Sequence, residues 1–102
     1  VLFAGDTART ASIPKLKSSR PIDLAIMPIG AYNPYIRNHC SSEQAWKMGN
    51  MAGAIHFIPV HHMTFRLSRE PVTEPIERFL AAAGNEEHRV PVRAIGHEFM
   101  LT

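Results

Sequence analysis

Val1-Leu2-Phe3-Ala4-Gly5-Asp6-Thr7 opens the chain with an apolar run that ends on a glycine and a carboxylate. Four apolar residues bounded by a turn signal read as a short buried strand, so Asp6 stands where that strand leaves a sheet. A second run, Ile58-Pro59-Val60-His61-His62, delivers imidazoles at a strand end in the same way. Carboxylates and imidazoles are ligands for divalent cations, and two such strand ends suggest one shared site. Each has an ordinary reading as well. An Asp readily caps the turn that follows it through backbone N–H groups, and a lone strand-end His is commonly a hydrogen-bonded surface residue. His61 and His62 are adjacent, so on extended backbone only one of them faces a given site.

Outward from these runs, apolar segments alternate with amphipathic ones, the pattern of α/β layers. Leu24 to Met27 and Ala54 to Val60 read as further strands. Val90 to Ile95 with Glu98 to Leu101 reads as a terminal hairpin turning at Gly96-His97. Ser41 and Gln44 have capping-box spacing, which starts a helix at about Ser42; its stripe of Ala45, Met48 and Ala52, flanked by Trp46 and Met51, suits core packing, with Gly53 as the C-terminal cap. A second helix is expected from Glu74-Pro75. It presents Ile76, Phe79, Leu80 and Ala83 on one face, stops at Gly84, and sets Glu74 four residues before Arg78. Pro14 suits the first position of a short helical turn between the first two strands.

At 102 residues the chain is long enough for one small domain with a modest core, and 45% apolar residues is a globular value. No stretch approaches the ~18–20 apolar residues of a membrane-spanning helix, so a soluble chain is expected. The net charge of +2 comes from eleven Lys and Arg interleaved with nine acids. The densest basic stretch, Lys15 to Arg20, has no stacking aromatics beside it, and nucleic acid is not an expected partner. The single cysteine, Cys40, excludes an internal disulfide and is compatible with a cytoplasmic location. Its neighbour His39 does not make it a Cys–His nucleophile pair, because adjacent residues seldom have the needed geometry.

Taken in order, Gly5-Asp6-Thr7, Asp23-Leu24-Ala25-Ile26-Met27-Pro28-Ile29-Gly30-Ala31-Tyr32, His39 with Ser41-Ser42-Glu43-Gln44-Ala45, and Pro59-Val60-His61 with Thr64-Phe65 resemble the C-terminal half of the metallo-β-lactamase-fold hydrolases. The resemblance is greatest to the branch holding the ascorbate-phosphate lactonases and the N-acyl-phosphatidylethanolamine phospholipase D enzymes. It runs from Gly5 to about Gly96. Members carry a His-x-His-x-Asp-His metal motif in their N-terminal half, and no such spacing occurs here. The chain also opens on Val1 in mid-strand. It is therefore expected to be a single partial domain over residues 1–102, the second half of an αββα sandwich, with a mixed sheet and helices on one face.

The resemblance implies a metal-dependent hydrolase in the intact parent, acting on a phosphodiester, ester or lactone of a small-molecule or lipid-like substrate. It makes Asp6 and His61 ligands to one or two Zn²⁺ ions, or to Mn²⁺ or Fe²⁺, with Asp6 bridging. His39 matches a residue that stabilises the oxyanion, the alternative being a loop His packed on Tyr35. The loop carrying Gly30 and Tyr32 borders the cleft in that family; packing of Tyr32 under the loop is the other reading. His62 and Met63 depart from the Trp-Gly usual there. His56, His88 and His97 are expected to be structural. Alone, the fragment is expected to be inactive and to self-associate as a homo-oligomer. The competing class is a non-catalytic α/β binding or interaction module, which leaves both strand-end signals coincidental.

Overall fold

Ile22–Pro28 (β2) and Ala54–Val60 (β3) are rich in β-branched and other apolar residues, and they pair in parallel with Ala25 opposite Phe57 and Met27 opposite Pro59. Leu2–Phe3 (β1) adds a short parallel strand to the other side of β2, giving the order β1-β2-β3. The computed structural model describes residues 1–66 and 68–101. Pro59 is compatible with the ladder because β3 is an edge strand, where a missing N–H is tolerated. Since all three strands run the same way, their C-terminal ends lie along one edge of the sheet. Those ends lead into Asp6, Gly30 and His61.

Between β2 and β3 runs the helix Ser42–Met51 (α1), which starts as its sequence requires. Ser41 Oγ accepts from Gln44 N at 3.2 Å, and Gln44 Oε1 accepts from Ser41 N at 3.0 Å, closing the capping box. The chain leaves α1 through Gly53 at φ 91°, a left-handed position that glycine takes without steric cost. Glu74–Ala83 (α2) begins with Pro75 in its first turn and ends before Gly84. Short 3₁₀ turns at Pro14–Leu16 and Gly84–Arg89 complete the ordered elements.

The helices cover one face of the sheet. Ala25, Met27 and Phe57 project on that face and join Ala45, Met48 and Phe79 in one core cluster. Trp46, Phe57 and Phe79 meet in tilted and edge-on pairs with ring centroids 4.7–6.0 Å apart, the arrangement aromatic quadrupoles favour. Arg89 fastens the second 3₁₀ turn to the start of β3, donating to the carbonyls of Ala54 and Ile55 at 2.7 Å each. Its guanidinium also lies 4.9 Å from the Trp46 ring centroid. On the opposite face the register aligns Phe3, Ile26 and Ile58. Phe3 there is 69% exposed.

Two expectations need correction. The sheet is parallel throughout the described residues, not mixed, and residues 90–101 form no hairpin. The turn itself exists, with His97 N donating to Ala94 O at 3.2 Å. The ladder does not, because Pro91 lacks a donor, Arg93 Nε occupies the Val90 carbonyl at 2.9 Å, and Phe99 packs on the His56 ring at 5.1 Å. No helix among the described residues is long and apolar enough to cross a membrane.

Candidate functional site

The C-terminal edge of the sheet is where the backbone departs most from relaxed geometry. Ala31, His61 and Met63 all have positive φ, at 64°, 63° and 55°. Left-handed backbone at residues with a Cβ costs about 1–3 kcal/mol each and persists only where surroundings enforce it. All three line one groove of about 240 Å³ at the strand ends, with Phe65, Glu70 and Val72 among its other walls. Gly30, which also lines the groove, packs against the end of β3. A Cβ at this position would lie 2.2 Å from the His61 carbonyl oxygen, so backbone meets backbone and only glycine fits.

His61 follows β3 and stacks on His39, with ring centroids 5.0 Å apart and planes inclined by 20°. His39 is placed there by its neighbours: Cys40 Sγ donates to Pro28 O at 3.0 Å, and His39 N donates to Tyr35 O at 2.9 Å. Its ring partner is thus His61 and not Tyr35. Burial pushes the Cys40 thiol up to about 11, which leaves it an unreactive packing group. Nδ1 of both His39 and His61 is buried without a partner. Buried polar atoms are normally satisfied. Nδ1 of His56 and of His62 is orphaned in the same way, so three of the four exceptions among the described residues, at His39, His61 and His62, gather at this end of the sheet. His62 diverges from its neighbour. Burial pulls its pKa down, and its Nε2 lies 3.3 Å from Pro59 O.

Asp6 is exposed in the turn after β1, at the same sheet edge. No hydrogen bond of its carboxylate occurs among the described residues, so the turn-capping alternative has no support here. With β2 between them, β1 and β3 are separated by two strand spacings, roughly 9–10 Å. Asp6 does not line the groove. Among the described residues no three His, Cys, Asp or Glu side chains gather in a way that would hold a metal ion. A tight zinc site takes three or four protein ligands, so Asp6 and His61 do not make one by themselves.

Tyr32 is turned away from the groove and is 6% exposed. Its hydroxyl donates to Glu74 at 2.5 Å, and the Arg78 guanidinium lies 4.6 Å from its ring centroid. Burial and then the Glu74 bond hold its pKa far above the ordinary phenol value. Arg78 in turn makes a two-pronged ion pair with Glu43 that ties α2 to α1. Hydrogen bonding to Glu43 pushes the Arg78 pKa up, a structural role for a group that never discharges. The expected Glu74–Arg78 pair is present at 3.7 Å.

Sequence reasoning missed Glu70. It is buried, and Oε2 and Oε1 accept from Ala31 N at 2.9 Å and Asn33 N at 2.8 Å. Ser68 Oγ also donates to it. Burial alone would raise its pKa, but these bonds outweigh burial and hold the carboxyl below the usual range. The only signal in the sequence was an acid in the polar stretch Ser68-Arg69-Glu70 before Pro71, which carries no periodicity.

No protein-family model matches the chain. It is 41% identical over 97 residues to an uncharacterized protein of Mycobacterium bovis, a match covering 88% of this chain and 26% of that protein. Uncharacterized proteins of two Mycobacterium tuberculosis strains match to the same extent. The chain therefore spans about a quarter of the length of the curated relatives it matches.

Proposed function

We propose that this chain is the C-terminal half of an αββα metallo-β-lactamase-fold domain and serves a metal-dependent hydrolase of phosphodiesters, esters or lactones. The observation that carries the reading is His61. A left-handed histidine at a strand end, its Nδ1 buried without a partner and its ring stacked on His39, is costly geometry at the sheet edge where Asp6 and Gly30 also emerge. On this reading Asp6 and His61 contribute two ligands, and further ligands come from an N-terminal half. One or two Zn²⁺ ions, or Mn²⁺ or Fe²⁺, would supply Lewis acidity and a nucleophile at neutral pH. His39 donates an N–H to the oxyanion that develops on the substrate. The apolar walls at Met63, Phe65 and Val72 seat a small-molecule or lipid-like substrate, and the loop at Gly30 and Ala31 limits its approach. Tyr32 braces that loop from beneath through Glu74. The protein acts in the cytoplasm, and the 102-residue chain alone is inactive.

The test is a hydrolysis screen on the longer polypeptide, of the mycobacterial relatives' size, with bis(p-nitrophenyl) phosphate, p-nitrophenyl esters and simple lactones. Activity removed by a chelator and restored by Zn²⁺ or Mn²⁺ is expected. Hydrolysis that chelators leave untouched would refute the metal assignment. A second reading, a non-catalytic α/β binding module, is favoured by one fact: the described residues bring no three metal-type ligands together. An in-frame His-x-His-x-Asp-His motif upstream of Val1 separates the two readings, since a binding module has no use for it.

A further inference from the structure

We propose that Glu70 is the positioning residue of the groove: its carboxylate pins the loop after β2 through Ala31 and Asn33 and thereby fixes the wall that faces His61. The inference rests on loop geometry and stands whether or not the hydrolytic reading is right. Alanine disfavours left-handed backbone, so Ala31 at φ 64° needs an external restraint. Glu70 supplies it with both oxygens, one to each of two backbone N–H groups 39 and 37 residues away in sequence. The clasp is closed from the other side as well, because Arg69 N donates to Asn33 O at 2.7 Å. Movement of this loop cannot remain local. Gly30 sits against the His61 carbonyl with no room for a Cβ, so a shift at Ala31 is passed to the left-handed turn that holds His61 and Met63.

An ionised carboxylate is the one side chain of this length that can accept from both N–H groups. Glutamine offers a single oxygen and would turn its NH₂ toward a donor. Aspartate is one methylene short. The donors that meet Glu70 are neutral: two backbone N–H groups and the Ser68 hydroxyl. His61, His62 and Arg66 line the same groove, so a titration seen there has to be assigned by substitution.

The experiment is amide NMR on the isotopically labelled full chain, as a function of pH, in the wild type and in Glu70→Gln and Ser68→Ala. In the wild type, the Ala31 and Asn33 amide protons are expected far downfield and should move upfield together in a single acidic step as Glu70 protonates. Ser68→Ala should keep that step. Glu70→Gln should abolish it and shift the His61 ring and Met63 methyl resonances, while Ile13 and Val90 on the core side stay in place. Independent titration of the two amides, or no acidic step at all, overturns the proposal from the wild type alone, even if the glutamine variant fails to fold. A folded Glu70→Gln chain with unchanged His61 and Met63 resonances overturns it too.

Discussion

Glu70 shows how one carboxylate can make a groove sensitive to acid. Its folded pKa is depressed by hydrogen bonds, so its contribution to stability is complete above the ordinary unfolded glutamate value of ~4.3 and is lost as pH falls through the lower folded value. Urea midpoints of the wild type should therefore fall between pH 6 and pH 3 by more than those of Glu70→Gln; equal falls would deny the carboxylate this role. His39 is tested differently, because it touches His61 without being a metal ligand in the proposed site. In the longer polypeptide, His39→Ala should keep its metal and lower turnover by roughly 10²–10³, the loss typical of one oxyanion donor. Unchanged turnover would leave the stacked imidazole a packing group. At this scale the sequence was partly legible. Asp6, His61 and Gly30 stand at strand ends, where pattern alone can put them. Tyr32 could not be oriented that way, since its inward turn depends on Glu74 and Arg78, 42 and 46 residues further on.

Among the elements, α1 shows which effects were local and which were not. Its start at Ser42 follows from Ser41 and Gln44, whose two capping hydrogen bonds are made between those residues alone. The same is true of α2, whose apolar stripe and Pro-to-Gly punctuation fix both ends. The terminal hairpin failed for one distant reason and one local one: Phe99 finds His56, and Arg93 takes the carbonyl of Val90, which a ladder would need. Gly49, inside α1, carries a tertiary constraint that helix propensity would misjudge. Replacing glycine with alanine in a helix interior gains ~1 kcal/mol. Here the new Cβ would lie 2.2 Å from Cε2 and 2.7 Å from Cζ of Phe57, a fully buried ring that cannot step aside. Overpacking of this kind costs ~1–3 kcal/mol, so the clash should outweigh the propensity. Gly49→Ala is expected to lower the urea midpoint; a rise would mean that the α1–β3 interface has room for a methyl group.

For the whole molecule, the parallel sheet brings β1 and β3 to one edge with the groove, but only one of its faces is covered by helices. The other aligns Phe3 with Ile26 and Ile58, and both edge strands have unpaired backbone groups. Open strand edges and apolar surface favour association. We expect the isolated chain to form a homodimer or larger assembly burying more than about 1,000 Å², visible by light scattering; a monodisperse monomer at high concentration would contradict this. The sequence conveyed the α/β class and the order of elements up to α2 but not the loss of the terminal hairpin, and the place of β1 beside β2 is something two residues of strand cannot announce. Whether the groove belongs to a metal-dependent hydrolase is decided most directly by the metal content of the purified longer polypeptide, measured by elemental analysis beside His61→Ala and Asp6→Ala. The account predicts one or two zinc, manganese or iron ions per chain in the wild type, lost or sharply reduced in both variants. Full retention of metal in both would contradict it.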